Sequence, residues 1–186
     1  MIQPIEQELL TILKGCYKRN RSSQNSLYRL YYAYGMSICI RYAQNEEEAI
    51  SILNDGFLKV FRNIKKYDTS RPFKPWFRRI VVNTAINHIV KNQKLNREVG
   101  MEKAEKLPST EDILSRISYQ ELMQMVQSLS VAYRTVFNMY VIDGYKHHEI
   151  AARLGITEST SKSNLTRARA RLKELVEVKF NSSYAR

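Results

Sequence analysis

Apolar positions recur at intervals of three and four residues along most of this chain. Leu27, Leu30, Tyr31, Tyr34 and Ile38 form one such series, and Ile50, Leu53, Phe57, Val60, Phe61 and Ile64 form a second. Trp76, Phe77, Ile80, Val81, Ala85, Ile86 and Ile89 form a third. Each series lays one apolar stripe along a 3.6-residue period and predicts an amphipathic helix. The break Tyr67-Asp68-Thr69-Ser70-Arg71-Pro72 separates the second helix from the third. Further on, Ile117, Leu122, Met125, Val126 and Leu129 predict another helix. Val131 to Val141 predicts one more, stopped by Asp143-Gly144. Strict alternation, the mark of a strand, is nowhere sustained. The pattern therefore predicts an all-α fold of two small helical bundles, residues 1–92 and 116–186, each with short turns. Residues 93–115 are polar, lack apolar periodicity and contain Pro108, as a flexible linker would. Fully extended, such a linker reaches about 75 Å at ~3.3 Å per residue.

The sharpest local pattern lies in the second block. His147-His148-Glu149-Ile150-Ala151-Ala152-Arg153-Leu154-Gly155-Ile156-Thr157 predicts a helix and then a tight turn. Ala151 is small enough to let another helix cross closely, and Gly155 can take the positive φ that the turn requires. Thr157 can cap a following helix from Glu158 to about Glu174. This is the pattern of a helix-turn-helix, whose second helix enters the major groove of DNA. Lys162, Ser163, Thr166 and Arg167 lie on its exposed face, with Arg169, Arg171 and Lys173 beyond them. Early residues of a recognition helix meet base edges, and later basic ones meet phosphates.

Charge strengthens this direction. The 186 residues carry 30 Lys/Arg against 18 Asp/Glu, a net +12. The surplus is +8 in residues 1–92 and +5 in 116–186, while 93–115 sits at −1. Two basic blocks around a near-neutral segment call for a polyanionic partner. Two cysteines, Cys16 and Cys39, make neither a disulfide framework nor a four-ligand zinc site, and fit a reducing compartment. Glu6 and Glu8 near the start argue against a secretory leader, and no apolar run approaches the ~18 residues of a membrane span. The adjacent His147 and His148 do not share a helix face, so capping or solvated roles are expected rather than metal binding. Glu46-Glu47-Glu48 opens a helix, where negative charge is favourable. No phosphate loop, nucleophile elbow or catalytic carboxylate pair appears, so neither a catalytic site, a metal nor a cofactor is expected.

A family resemblance joins the two blocks. Asn54-Asp55-Gly56-Phe57-Leu58-Lys59-Val60-Phe61, followed by Pro75-Trp76-Phe77-Arg78-Arg79-Ile80-Val81-Val82-Asn83-Thr84-Ala85-Ile86-Asn87, resembles region 2 of bacterial sigma factors. Asp143-Gly144-Tyr145, Glu149-Ile150-Ala151, Leu154-Gly155-Ile156, Thr160-Ser161-Lys162-Ser163 and Arg167-Ala168-Arg169 resemble their region 4. Order and spacing are similar to an extracytoplasmic-function (ECF) sigma factor, the smallest class of the sigma-70 family. The resemblance covers roughly residues 22–92 and 116–178.

The resemblance implies a promoter-specificity subunit that is not itself an enzyme. It would act in the bacterial cytoplasm, at the nucleoid when bound to core RNA polymerase. It implies binding to the β′ clamp helices and the β flap of that polymerase, to promoter DNA, and to an anti-sigma factor, with no membrane insertion. Ser51, Asn54, Asp55 and Leu58 match the polymerase-binding positions, although the family carries an aspartate where Ser51 stands. Lys65, Lys66, Arg71, Arg78, Arg79, Asn83 and Asn87 match the surface that opens the −10 element, with Asn83 at an extruded base. Trp76, in the apolar stripe, is expected in the core rather than between bases. Lys162, Ser163, Thr166, Arg167, Arg169 and Arg171 match the −35 reading surface. Two departures stand out: Lys146 replaces the usual serine cap, and Ser161 replaces a β-branched apolar residue, its hydroxyl expected to bond back to a helical carbonyl. The alternative is a stand-alone helix-turn-helix transcriptional regulator.

Overall fold

The computed structural model describes the backbone of residues 4–96 and 119–184, and the side chains of residues 7–92 and 121–178. No strand occurs among the described residues. The chain falls into two compact units, Met1–His88 and Ile89–Arg186.

The first unit is built from α1 (Pro4–Tyr17), α2 (Arg21–Cys39), α3 (Glu46–Asn63), a 3₁₀ turn (Ile64–Lys66) and α4, which starts at Phe73. Helix α1 has no counterpart among the sequence expectations. It packs on α2 and on the 3₁₀ turn, and buries Leu13 and Cys16. The turn that follows it places Arg19 at a positive φ of 59°, while the Asn20 N–H donates to the Gly15 carbonyl at 3.0 Å. Asn20 then caps α2, accepting from the Ser23 N–H at 2.9 Å. Asn45 does the same for α3, accepting from the Glu48 N–H at 2.8 Å. The Glu48 carboxylate takes the Gln44 N–H and reaches His88 Nε2 on α4 at 2.9 Å. The acidic opening of α3 is thus both a cap and a tie between helices.

The core of this unit is aromatic. Phe57 and Phe77 lie 5.1 Å apart, with Tyr31 on Phe73 at 5.0 Å and on Phe77 at 5.1 Å. Leu27, Ile52, Leu53, Val60 and Val81 are fully buried around them, each burial stabilising by roughly 1.5–3 kcal/mol. Close helix packing depends on Gly35: a Cβ there would stand 2.4 Å from Leu53 Cδ1 and 3.2 Å from Phe77 Cζ. Leu30, expected in the apolar stripe of α2, is instead 54% exposed. The neighbouring rings of Tyr28, Tyr31 and Tyr34 fill the inward face in its place. The cysteines are free and buried; burial pushes the Cys16 thiol up to about 11 and Cys39 up to about 12.

Helix α4 runs to Asn96, four residues into the segment read as linker. The rest of that segment, 97–115, lies outside the described residues, as does Ile117.

The second unit contains α5 (Tyr119–Ser128), α6 (Val131–Phe137), α7 (His147–Leu154) and α8 (Glu158–Tyr184). Helices α5, α6 and α7 all pack against α8, burying Met125, Val126, Leu129, Val136, Met139, Ile150, Leu154, Leu165 and Ala168. Sequence periodicity predicts one helix from Val131 to Val141. The α-helix in fact stops at Phe137 and continues as a π turn, Asn138–Ile142, closed by the Asp143 N–H on the Asn138 carbonyl at 2.9 Å. Asn138 is fully buried in this turn. Gly144 follows with a φ of 75°. Helix α8 extends ten residues beyond the expected end at Glu174.

Candidate nucleic-acid and polymerase interfaces

The residues expected at three surfaces lie on α3, on the loop after it together with α4, and on α8. On α3, Ser51, Asn54, Asp55 and Leu58 are all exposed. Ile52, Leu53, Gly56, Phe57 and Val60 bury the opposite face. The spacing of one turn, one residue and one turn puts the four on a single stripe. Leu58 is 51% exposed, an apolar side chain amid polar neighbours. Asn54 accepts from the Tyr28 hydroxyl at 3.1 Å, which fixes its amide against α2.

The second surface combines the turn and loop after α3 with α4. Lys65, Lys66, Arg71, Arg79 and Asn87 are exposed; Arg78 and Asn83 are half-buried. Arg79, Asn83 and Asn87 are spaced four apart, so they climb one face of α4 on successive turns. The loop is shaped by its own side chains. Asp68 accepts from the Ser70 N–H at 3.0 Å and from its hydroxyl at 2.7 Å, and pairs with Arg71 Nε at 3.3 Å. The two bonds from Ser70, with the Arg71 charge beside them, hold the Asp68 carboxyl below its ordinary pKa. The Tyr67 hydroxyl donates to the Arg71 carbonyl and closes the loop. The Tyr67 ring sits 5.3 Å from Phe73 and 5.0 Å from Trp76, and its burial, with Asp68 nearby, raises its pKa. Trp76 was expected in the core; it is half-buried, at the edge of this aromatic cluster beside the loop. It faces Tyr67 and Phe73 because Phe77, one residue on, takes the inward position in the helical stripe.

The third surface is α8. Gly155 takes a φ of 66° and a ψ of 36° after α7, and the Ile156 N–H reaches back to the Ala151 carbonyl at 3.1 Å. Thr157 caps α8, accepting from the Thr160 N–H at 3.0 Å. Ser161, Leu165 and Ala168, at i, i+4 and i+7, are buried. Their burial turns Lys162, Ser163, Thr166, Arg167 and Arg169 outward, and all five are exposed. Arg171 is exposed too, but its guanidinium pairs with Glu174 at 2.9 Å, which offsets its charge. Arg167 Nη1 reaches the Tyr133 hydroxyl at 3.5 Å.

Two departures in this motif have structural answers. The Lys146 ammonium has no lone pair to offer, yet its backbone N–H donates to Glu149 Oε2 at 2.7 Å, so the cap is made from the third helical residue. The Ser161 hydroxyl does not bond back along its own helix; it pairs with His147 Nδ1 at 2.9 Å. The imidazole stacks on Tyr140 at 4.5 Å. Desolvation first, then the Lys162 charge, lowers the His147 pKa, with Glu158 opposing and Arg169 adding to the effect. His147 thus pins α7 to α8 from a half-buried position, a role that its place beside His148 did not signal.

Comparison with known proteins decides the family. Residues 27–95 match the family Sigma-70 region 2, and residues 119–172 match Sigma-70, region 4. This chain belongs to the sigma-70 family, in its ECF class. It is 24% identical over 159 residues to the ECF RNA polymerase sigma factor SigE of Mycolicibacterium smegmatis, covering 83% of this chain and 58% of that protein. Against the ECF RNA polymerase sigma factor SigW of Bacillus subtilis it is 29% identical, covering 74% and 80%. Against the RNA polymerase sigma-H factor of Pseudomonas aeruginosa it is 25% identical, covering 72% and 76%. A solved complex of the sigma factor RpoE with the anti-sigma factor NepR, from Bartonella quintana, aligns with a TM-score of 0.48 at 19% identity, covering 95% of this chain and 99% of that one. No described helix of this sigma factor is long and apolar enough to cross a membrane.

Proposed function

We propose that this sigma factor directs promoter-specific initiation by a division of labour between its two units. The exposed α3 face seats on the clamp helices of core polymerase, with Leu58 as the apolar anchor and Ser51, Asn54 and Asp55 as its polar surround. The loop at 67–72 and the Arg79-Asn83-Asn87 face of α4 hold the opened −10 strand. The amide of Asn83 donates and accepts at an extruded base, while Lys65, Lys66, Arg71, Arg78 and Arg79 hold the backbone. Stacking and pockets for extruded bases, worth ~1–3 kcal/mol per base, offset the few kcal/mol of unstacking. The outward face of α8 reads the −35 duplex. Ser163, Thr166 and Lys162 lie nearest the helix N-terminus, where base edges are met; Arg167 and Arg169 follow towards phosphates.

The domains are residues 1–92 and 116–186. An anti-sigma factor is the partner that would keep this sigma factor from core polymerase. The protein acts in the cytoplasm and at the nucleoid, and contributes no chemistry of its own.

The observation that carries this reading is the presence, in one chain and in order, of a region 2 match with a polar stripe around an exposed leucine and a region 4 match with an outward basic helix. Run-off transcription tests it. Core polymerase on a promoter template is expected to initiate at one site only when this protein is added. Duplex binding with no stimulation of initiation would leave a stand-alone helix-turn-helix regulator instead.

A further inference from the structure

Ser161 is fully buried near the start of α8, one residue before the exposed Lys162. Its hydroxyl meets Nδ1 of His147, the first residue of α7, at 2.9 Å. The imidazole is in turn held by Tyr140, whose ring lies 4.5 Å away and 23° from parallel. Tyr140 belongs to the π turn Asn138–Ile142. The same turn is tied to the chain before α7 by the Tyr145 N–H, which donates to the Met139 carbonyl at 2.9 Å. A π turn, a buried serine and a half-buried histidine thus meet at the junction of α7 and α8.

Ile150, Ala151 and Leu154 on α7, and Leu165 and Ala168 on α8, are buried and apolar. Apolar burial has no preferred direction and lets one helix roll on another. A hydrogen bond has a preferred length and angle, so the one at Ser161 fixes the roll. Lys162 lies about 100° round the helix from Ser161, so any roll of α8 carries Lys162 and Ser163 across the groove. A neutral imidazole accepts the serine proton at Nδ1, whereas an imidazolium can only donate there. Protonation therefore takes that acceptor from the buried Ser161 hydroxyl. From α8, Glu158, Lys162 and Arg169 act on the imidazole, and from the π turn Tyr140 faces it. On its own helix the flanking Lys146 and His148 are exposed. Desolvation and the Lys162 charge favour the neutral ring, Glu158 opposes them and Arg169 adds to them.

We propose that His147 is a positioning residue for duplex reading: its bond to Ser161 sets the roll of α8, and so the approach of Lys162 and Ser163 to the groove, and protonation of the imidazole releases that setting. The inference rests on the reading of α8 as the −35 surface. It adds a regulation of that surface, in which discrimination at the −35 element falls as the medium turns acidic. His147 acts through Ser161 and needs no contact with DNA of its own.

The test is duplex discrimination by holoenzyme, reconstituted from core polymerase and the full chain. Dissociation constants are measured for a promoter duplex and for the same duplex with its −35 element scrambled, at about pH 8 and about pH 5.5, on either side of the usual histidine range. The wild type is expected to discriminate at the higher pH and to lose about tenfold at the lower, the weight of roughly one base contact. Ser161→Ala and His147→Ala should each lose about as much at both pH values, and the double variant no more than either alone. His147→Asn puts an amide where Nδ1 stands but does not titrate, so it should keep the discrimination and remove its pH dependence. If it loses discrimination as fully as His147→Ala, packing of the ring rather than its hydrogen bond sets the helix, and the inference is overturned. Persistence of the pH dependence in His147→Asn, or loss of helical circular dichroism in the wild type at the lower pH, overturns it as well. If every variant discriminates alike at both pH values, His147 positions nothing while the −35 reading survives. If the wild type does not discriminate at either pH, the −35 reading falls and this inference with it.

Discussion

The loop at 67–72 and helix α8 present basic and polar groups in opposite ways. Along α8 the backbone supplies the rigidity: Thr157 caps the start, Ser161, Leu165 and Ala168 anchor one face, and Lys162, Thr166 and Arg169 project from the other. In the loop the backbone has no helix to lean on, and the side chains do the shaping: Asp68 takes two bonds from Ser70, and Tyr67 closes on Arg71 and packs edge-on against Phe73 and at a tilt against Trp76. The contrast follows from the proposed targets. A duplex offers a groove of fixed geometry, into which a rigid rod with projecting groups can be inserted. A single strand has no fixed geometry, so the protein must supply the shape.

The sharpest way to break this contrast is to damage one unit and watch the other. Phe77 is fully buried at the centre of the first unit, so Phe77→Ala should cost about 3–5 kcal/mol there, read from urea unfolding, with −35 duplex binding retained. Loss of duplex binding together with the first unit would mean that the two are one cooperative structure. Next in size, Asn83→Ala should lose about 1–3 kcal/mol of strand capture while sparing the duplex. Unchanged permanganate reactivity in the −10 region would remove Asn83 from the strand-opening surface. On the α8 side, Lys162→Ala should weaken all duplex sequences alike and reduce the salt slope by about 0.9 if it meets a phosphate. A sequence-selective loss would move it to a base edge. The smallest effect concerns His147. Its folded pKa lies below its ordinary value of 6.5, so the unfolded chain binds the proton more readily. The second unit is therefore at full stability above about pH 6.5 and loses stability as the pH falls through the folded pKa. His147→Gln should flatten that part of the thermal-stability profile.

These tests bear on residues that the sequence revealed to very different degrees. Faces set by period alone were legible: Ser51, Asn54, Asp55 and Leu58 emerge on one exposed stripe because 3.6-residue geometry leaves little else. Gly155 and Thr157 were legible because a positive φ and a free N–H each demand a narrow choice of side chain. Contacts between distant residues were not. The partner of Ser161 is fourteen residues away, across a turn, and a buried hydroxyl in a sequence announces a need without naming what meets it. The π turn after Phe137 escaped for another reason. The wide turn lies at the very end of the apolar series, so too few positions follow it to show the shift, whereas the backbone bond from Asp143 to Asn138 marks it directly. Helix α1 went unread although Leu10, Leu13 and Tyr17 stand at helical spacing, since three positions in a short segment are a weak signal. Trp76 fell one residue from the inward line, and that offset moved it from the core to the edge of the loop.

The two cysteines have a practical consequence. With thiols at about 11 and about 12 inside closed packing, almost no thiolate exists at neutral pH to meet a maleimide or a peroxide. The native chain is therefore a silent background for site-directed labelling. Probes can be attached at engineered surface positions such as Glu47→Cys and Val178→Cys without first stripping the core of its own sulfur.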